Sequence, residues 1–257
     1  MTSTRSIPII SYHAIQDGPG PVCLQPRDFE RQIRALHEAG CTTLRVDEVV
    51  RLLRSGSALP PRPVALTFDD AYASVHTMAL PLLASLDMTA TVFPVTSELG
   101  GHNRWDAAKP GIPRLALVET SQLLELRAAG WEVGSHTHTH AALRSIPKTT
   151  VESEIETSIS MLEDICGAEV RTFAYPYGLH DATSRQVVAS RYEVGLDIGA
   201  AKATTSSPLD CLPRVDAWYL RRTWQVRGLH GTSGDLYLAV RRLGRAIGHS
   251  TGRGRGG

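Results

Sequence analysis

Three histidines stand within five residues, at His136, His138 and His140, and two adjacent carboxylates stand at Asp69 and Asp70. With 10 His in 257 residues, that fixed pattern has a chance expectation of roughly 0.015. Imidazole nitrogens and a carboxylate oxygen are the donor set of a catalytic divalent metal that keeps open positions for water. Zinc is the first choice for such donors, and cobalt, nickel and manganese also suit them. His136 and His140, four apart, share a face if the chain turns helical, whereas residues two apart share one only in an extended segment. The plainer reading is a solvated His-rich loop with caps around Thr137 and Thr139, and the Asp-Asp pair argues against it. Two carboxylates in one role repel each other, so the pair suggests divided labour: one ligates the metal and its neighbour takes a proton from water.

These groups must be held at the ends of regular elements. Val64 to Phe68 reads as a strand running into Asp69-Asp70, Trp131 to Gly134 as one running into the histidines, and Thr172 to Tyr175 as one ending at Pro176-Tyr177-Gly178. Further strands are predicted at Ile7 to Tyr12, Thr42 to Val46, Thr89 to Val95 and Glu193 to Leu196. Between them lie helical patterns at Phe29 to Ala39 (Asp28 as N-cap, Gly40 as stop), Asp47 to Leu53 (Asp47 as cap), and Val75 to Leu86 with a kink at Pro81. Others follow at Thr120 to Ala129, Thr149 to Cys166 and Ala182 to Ala189. Repeated strand-then-helix units imply parallel strands with helical crossovers. About seven of them favour an α/β chain folded as a distorted or incomplete (β/α) barrel over an open doubly wound sheet, and no Gly-x-Gly-x-x-Gly turn follows the first strand. In such a barrel the chemistry sits at the C-terminal ends of the strands, where both motifs fall. The aperiodic stretch from Ser97 to Pro113 has the length of a functional lid.

Composition sets outer bounds. With 42% apolar and 21% charged residues, the bulk of the chain is globular rather than disordered. The expected organisation is one catalytic barrel domain over 1–247 and a disordered Gly/Arg-rich tail over 248–257. A formal charge of +1 gives no global field for nucleic acid or a membrane surface. Apolar runs are far short of the roughly 18 residues a membrane span needs. The start lacks the apolar core of a secretory signal, so the expected compartment is the cytoplasm as written, or outside it if a leader was removed. Cys23, Cys41, Cys166 and Cys211 form no paired motif and read as reduced residues.

Thr67-Phe68-Asp69-Asp70 followed by His136-Thr137-His138-Thr139-His140 resembles the first two motifs of the polysaccharide deacetylases, the NodB-homology or carbohydrate esterase family 4 enzymes. Pro8 to His13, Ala90 to Phe93 and Phe173-Ala174-Tyr175-Pro176-Tyr177-Gly178 are similar to further family segments in the same order, over roughly residues 7 to 216. The last of these is in the style of the poly-N-acetylglucosamine deacetylase branch. The resemblance implies a distorted barrel and metal-dependent removal of an acetyl group, N-acetyl first, from an amino sugar or polysaccharide. It implies Asp70, His136 and His140 as metal ligands and Asp69 as general base toward a metal-bound water. The resemblance also implies that a backbone N–H near Tyr177 joins the metal in stabilising the oxyanion.

Three departures from the pattern generate expectations. Ala174 stands where the family often has an arginine that orients the base; Arg214 supplies that guanidinium or is a surface residue after a Pro turn. The late Leu-x-His motif, source of the general acid, is offset by one at His230, which is either that acid or an exposed loop histidine. Ala71 replaces the glycine usual after Asp-Asp. His13, at the first strand end, either lines the pocket or is a core histidine, and Trp105 either stacks on a sugar or packs. His37, His76 and His180 read as surface residues. The competing readings are a carbohydrate-binding module that keeps the metal pocket without turnover, and a metal hydrolase of non-sugar amides.

Overall fold

The structure is a computed structural model that describes residues 5–250. Its organising element is the strand Pro63–Asp70, buried along its whole length. Ile9–Tyr12 pairs with it in parallel on one side, and Thr42–Leu44 and then Thr91–Pro94 pair in parallel on the other. Glu132–Val133 follows Thr91–Pro94, and a parallel bridge from Ser135 to Phe173 leads to Thr172–Ala174. That strand pairs with Val194–Asp197, and Val194–Asp197 with Leu212–Pro213. The chain then passes through Arg214 into Val215–Asp216, which pairs with Ile9–Tyr12. The parallel pairings therefore run around a ring of short staves, the distorted (β/α) barrel expected from the sequence.

Strand alternation divides the core in two. Ile9, Ala65, Phe93, Ala174 and Leu196 cluster inside the ring with the helix Val46–Ser55. Ile10, Leu66, Val92 and Phe173 pack outward against helices that include Pro26–Glu38, Thr120–Ala128 and Lys148–Cys166. Gly40, Gly56, Gly130 and Gly167 all take positive φ just past a helix end, a conformation that costs glycine little.

Several local expectations are corrected. The first helix begins at Pro26 with Gln25 in the cap position, because proline suits the first helical position; Asp28 lies in the first turn, paired with Arg31. The second helix begins at Val46, and its first N–H groups, those of Val46 and Asp47, donate to the Glu132 carboxylate rather than being capped by Asp47. The distortion foreseen at Pro81 lies before it, as a π turn over Val75–Ala79 ahead of the helix Leu80–Ser85. Proline's ring crowds the carbonyl four residues back, which widens the preceding turn. The last helix, Thr232–Ser250, runs into the stretch expected to be a disordered tail; 251–257 lie outside the described residues. Among the described residues no helix is long and apolar enough to cross a membrane, and Cys23, Cys41, Cys166 and Cys211 are free.

Candidate active site

At the C-terminal end of the central strand, Asp69 turns to Arg214 inside the ring while Asp70 faces His136 and His140 at the mouth. The backbone then enters the left-handed region at Asp70 (φ 65) and Ala71 (φ 56). That conformation explains why a glycine fits after the Asp-Asp pair, since a Cβ at positive φ is strained. The histidine segment is not helical. His136 and His140 converge because Thr137 (φ 66) and His140 (φ 62) are also left-handed, so a tight loop, not helical spacing, brings their rings to 4.9 Å. The approach to this loop needs Gly134, where a Cβ would lie 2.3 Å from the Phe93 ring and 2.5 Å from Thr172. Strained non-glycine residues gathered past two neighbouring strand ends point to a functional site.

His136 Nε2 and His140 Nε2 lie 3.5 and 3.1 Å from Asp70 Oδ1, and all three side chains are buried. His136 donates its Nδ1–H to the Ala174 carbonyl at 2.8 Å, which fixes the tautomer and turns a lone pair on Nε2 toward Asp70. Asp70 Oδ1 and His140 Nδ1 are buried without a hydrogen-bond partner. Three donor atoms converging on one point, with an orphaned carboxylate oxygen among them, fit a divalent cation. Burial would raise the Asp70 carboxyl, but His140 and His136 outweigh it and hold it well below the usual range. Burial also pushes His136 down to about 4, against the pull of Asp69, which keeps the imidazole neutral as a ligand must be. His138 is excluded from this group, its Nδ1 bonded to Thr96 at 2.9 Å.

Asp69 is held differently. Arg214 donates to both its oxygens, Nη1 to Oδ1 at 2.6 Å and Nη2 to Oδ2 at 2.8 Å. Arg214 is 1% exposed, and its remaining donors reach Thr67 Oγ1 at 3.1 Å and the Asp197 carbonyl at 3.2 Å. Of the two readings left open for Arg214, the surface one is excluded: it lies where the chain crosses between strand pairings, so its side chain enters the ring. Burial alone would raise the Asp69 carboxyl, and the guanidinium, with help from His136 and His13, holds it below the usual range.

His13 lines the mouth, its Nε2 3.9 Å from Asp69 Oδ2 with the side chain 26% exposed. Trp105 stacks on the His140 ring at 4.5 Å and Tyr177 (φ 59) meets it edge-on at 4.5 Å. The Ser97 to Pro113 segment that carries Trp105 is anchored rather than free: Asn103 bonds the Pro113 carbonyl and the Leu115 N–H, and Arg104 pairs with Glu98. His230 is the residue that the structure does not bring in. Its charged neighbours are Arg62 and Lys202. Arg62 precedes the N-terminal end of Pro63–Asp70, and eight residues at about 3.3 Å each separate that end from the carboxylates. His230 thus lies toward the opposite end of the barrel and is not the general acid.

Glu154, which no local sequence pattern singles out, holds the histidine loop in place. From the helix Lys148–Cys166 it accepts from the N–H groups of His138 and Thr139 at 3.0 and 2.8 Å and from Thr139 Oγ1 at 2.6 Å. It thereby pins the loop between His136 and His140. Loss of such outer partners costs roughly 10- to 100-fold in metal affinity. Glu154→Ala is expected to weaken zinc binding by that factor, read by competition with a chromophoric chelator, with the thermal transition still cooperative.

A parallel α/β barrel with an Asp-His-His donor set and a second, ion-paired aspartate at its C-terminal mouth defines a metal-hydrolase type of site. The family model described as polysaccharide deacetylase matches residues 56–192, more than half of the chain, and the chain belongs to that family of carbohydrate deacetylases. A poly-beta-1,6-N-acetyl-D-glucosamine N-deacetylase of Staphylococcus epidermidis is 26% identical over 199 residues, 74% of this chain and 66% of the relative. This chain therefore spans about two thirds of that relative's length. Among solved structures, the Streptococcus pyogenes deacetylase PplD, in complex with acetate, matches with a TM-score of 0.73 at 24% identity, over 83% of this chain and 93% of that one. IcaB from Ammonifex degensii matches with a TM-score of 0.72 at 20% identity, over 86% and 97%. At these identities the structural matches carry the fold.

Proposed function

We propose that this chain removes N-acetyl groups from an N-acetylglucosamine polysaccharide, using one zinc ion held by Asp70, His136 and His140. The observation that carries this reading is the pair of neighbouring carboxylates in separate roles, Asp70 facing two imidazoles and Asp69 clamped by Arg214. A cation held by Asp70, His136 and His140 would supply Lewis acidity, lowering the pKa of water and drawing charge from the acetyl carbonyl oxygen. Asp69, kept ionised by Arg214, takes the proton as the water oxygen adds to the carbonyl carbon. The Tyr177 backbone N–H serves as a donor to the developing oxyanion, those of Tyr175 and Gly178 being bonded within the fold. The proton taken by Asp69 passes by way of His13, 3.9 Å away at the mouth, to the sugar nitrogen as the C–N bond breaks, releasing the free amine and acetic acid, which ionises to acetate in solution. Trp105 and Tyr177 brace His140 and shape the rim where the sugar lies.

Acetate release from a panel tests the reading: β-1,6- and β-1,4-linked N-acetylglucosamine oligomers, an O-acetylated sugar and a non-sugar acetamide. The expected result is release from the N-acetylglucosamine oligomers. Ligand retained without acetate release makes the chain a binding module, and release from the acetamide or ester alone overturns the N-acetyl assignment. A companion expectation is that the protein takes up about one zinc at this site and that His136→Ala/His140→Ala abolishes it, measured by the zinc that competes with a chelator. Undiminished binding in that double variant moves the ligand set elsewhere.

A further inference from the structure

Behind Arg214 lies a second convergence of metal-compatible donors. His180 reads as a surface residue in the sequence, yet its side chain is only 17% exposed, and it meets Asp197 from a strand end and Cys211 from the turn before Leu212–Pro213. His180 Nε2 is 3.3 Å from Asp197 Oδ2 and 3.3 Å from Cys211 Sγ, and Sγ is 3.7 Å from Oδ2. A tetrahedral zinc with Zn–S of about 2.3 Å and Zn–N and Zn–O of about 2.0–2.2 Å places its donors roughly 3.3–3.6 Å apart. The three edges lie close to that range. Hydrogen bonding through Nε2–H and the Cys211 S–H, which is directed at Asp197 Oδ2, satisfies at most two of the three edges at once, whereas a bound cation accounts for all three.

The surroundings orient the same three atoms. Asp197 Oδ1 accepts the Ile198 N–H at 2.6 Å, leaving Oδ2 for the cluster, and Tyr175 packs on the His180 ring at 4.8 Å. Gly178, at φ 63, lets the turn press against the strand end, where a Cβ would stand 2.8 Å from Asp197 Oδ1. The adjacent charges cancel without the cluster: Arg185 takes both oxygens of Asp210 at 2.9 and 3.0 Å, and Arg214 is committed to Asp69. A dication facing one carboxylate and one thiolate is then neutralised locally.

We propose that His180, Asp197 and Cys211 form a second metal site, for a zinc-class cation bound through Nε2, Oδ2 and the thiolate, with solvent as fourth ligand. The Cys211 thiol gives up its proton to solvent on binding. The metal staples the turn after Tyr177 to the strand whose Asp197 carbonyl accepts from the Arg214 backbone N–H at 3.1 Å and from its Nε at 3.2 Å. This proposal does not depend on the deacetylase reading, since the Asp70 site contains no sulfur.

The test is titration of the metal-free full chain with Co²⁺, followed by absorbance and by bound metal per chain. Two equivalents are expected, one of them bringing a near-ultraviolet thiolate-to-cobalt charge-transfer band. The band should vanish in Cys211→Ser and fall sharply in His180→Gln. It should persist in Cys23→Ser and in His136→Ala/His140→Ala. A single equivalent without the band in the unmodified protein overturns the proposal, whatever becomes of the variants' folding. So does a band that survives Cys211→Ser.

Discussion

Asp69→Asn is expected to bind zinc with unchanged stoichiometry while turnover falls by about 10² to 10⁴, the usual contribution of a positioned general base. The amide keeps the shape of the side chain but cannot take the proton. It also faces one Arg214 N–H with an NH₂ group where the carboxylate accepted at 2.8 Å, so a stability loss of about 1.5–3 kcal/mol accompanies it. Metal content and kcat, measured on the same folded sample, separate the two effects. Near-normal kcat with full metal would pass the base role to His13, the other proton acceptor at the mouth.

Removing the guanidinium is expected to do more. Arg214 and Asp69 are both buried and joined by two hydrogen bonds, and breaking such a pair leaves an uncompensated charge at a cost of about 3–5 kcal/mol. Asp69 acts in its ionised form, so activity appears as pH rises through its pKa. Burial pushes that pKa up and Arg214 is the strongest influence holding it down. Arg214→Ala should therefore move the acidic limb of the rate profile to higher pH as well as lowering the rate. The pair's own contribution to stability has the matching sign: a depressed carboxyl stabilises the fold above its unfolded pKa and loses that stabilisation as pH falls through the folded pKa. The variant's unfolding free energy should depend less on pH in that acidic window. An unchanged rate profile would make Arg214 a structural residue only. Arg214→Lys restores charge without the two-pronged geometry, so partial recovery of the limb without full rate is the expected pattern.

Residue types carried most of the site, and backbone geometry carried what they could not. Asp69, Asp70, His136 and His140 stood out because their kinds and their places at predicted strand ends agree, and two adjacent carboxylates already suggest two roles. The convergence of His136 with His140 was legible as a pair but not as a shape, because two left-handed residues replace the helical turn that four-residue spacing suggests. Arg214 needed the ring of strands, since only the crossing between Leu212–Pro213 and Val215–Asp216 turns a side chain after a proline inward. His230 misled because motif spacing carries no information about which end of a barrel a late helix reaches. Glu154 and Glu132 act on loops and helices distant in sequence, through single carboxylates that no local pattern distinguishes from solvated ones. His180 and Cys211 gave no signal for the same reason: their meeting depends on how the turn after Tyr177, the end of Val194–Asp197 and the turn before Leu212–Pro213 stack.

The most direct measurement is acetate release from β-1,6-linked N-acetylglucosamine oligomers by protein stripped with a chelator, then titrated with zinc at fixed substrate. The unmodified chain should be inactive when stripped and recover with zinc, while His136→Ala/His140→Ala stays inactive at every zinc concentration. Acetate release that persists in the stripped protein, or that zinc restores to the double variant, would contradict the account.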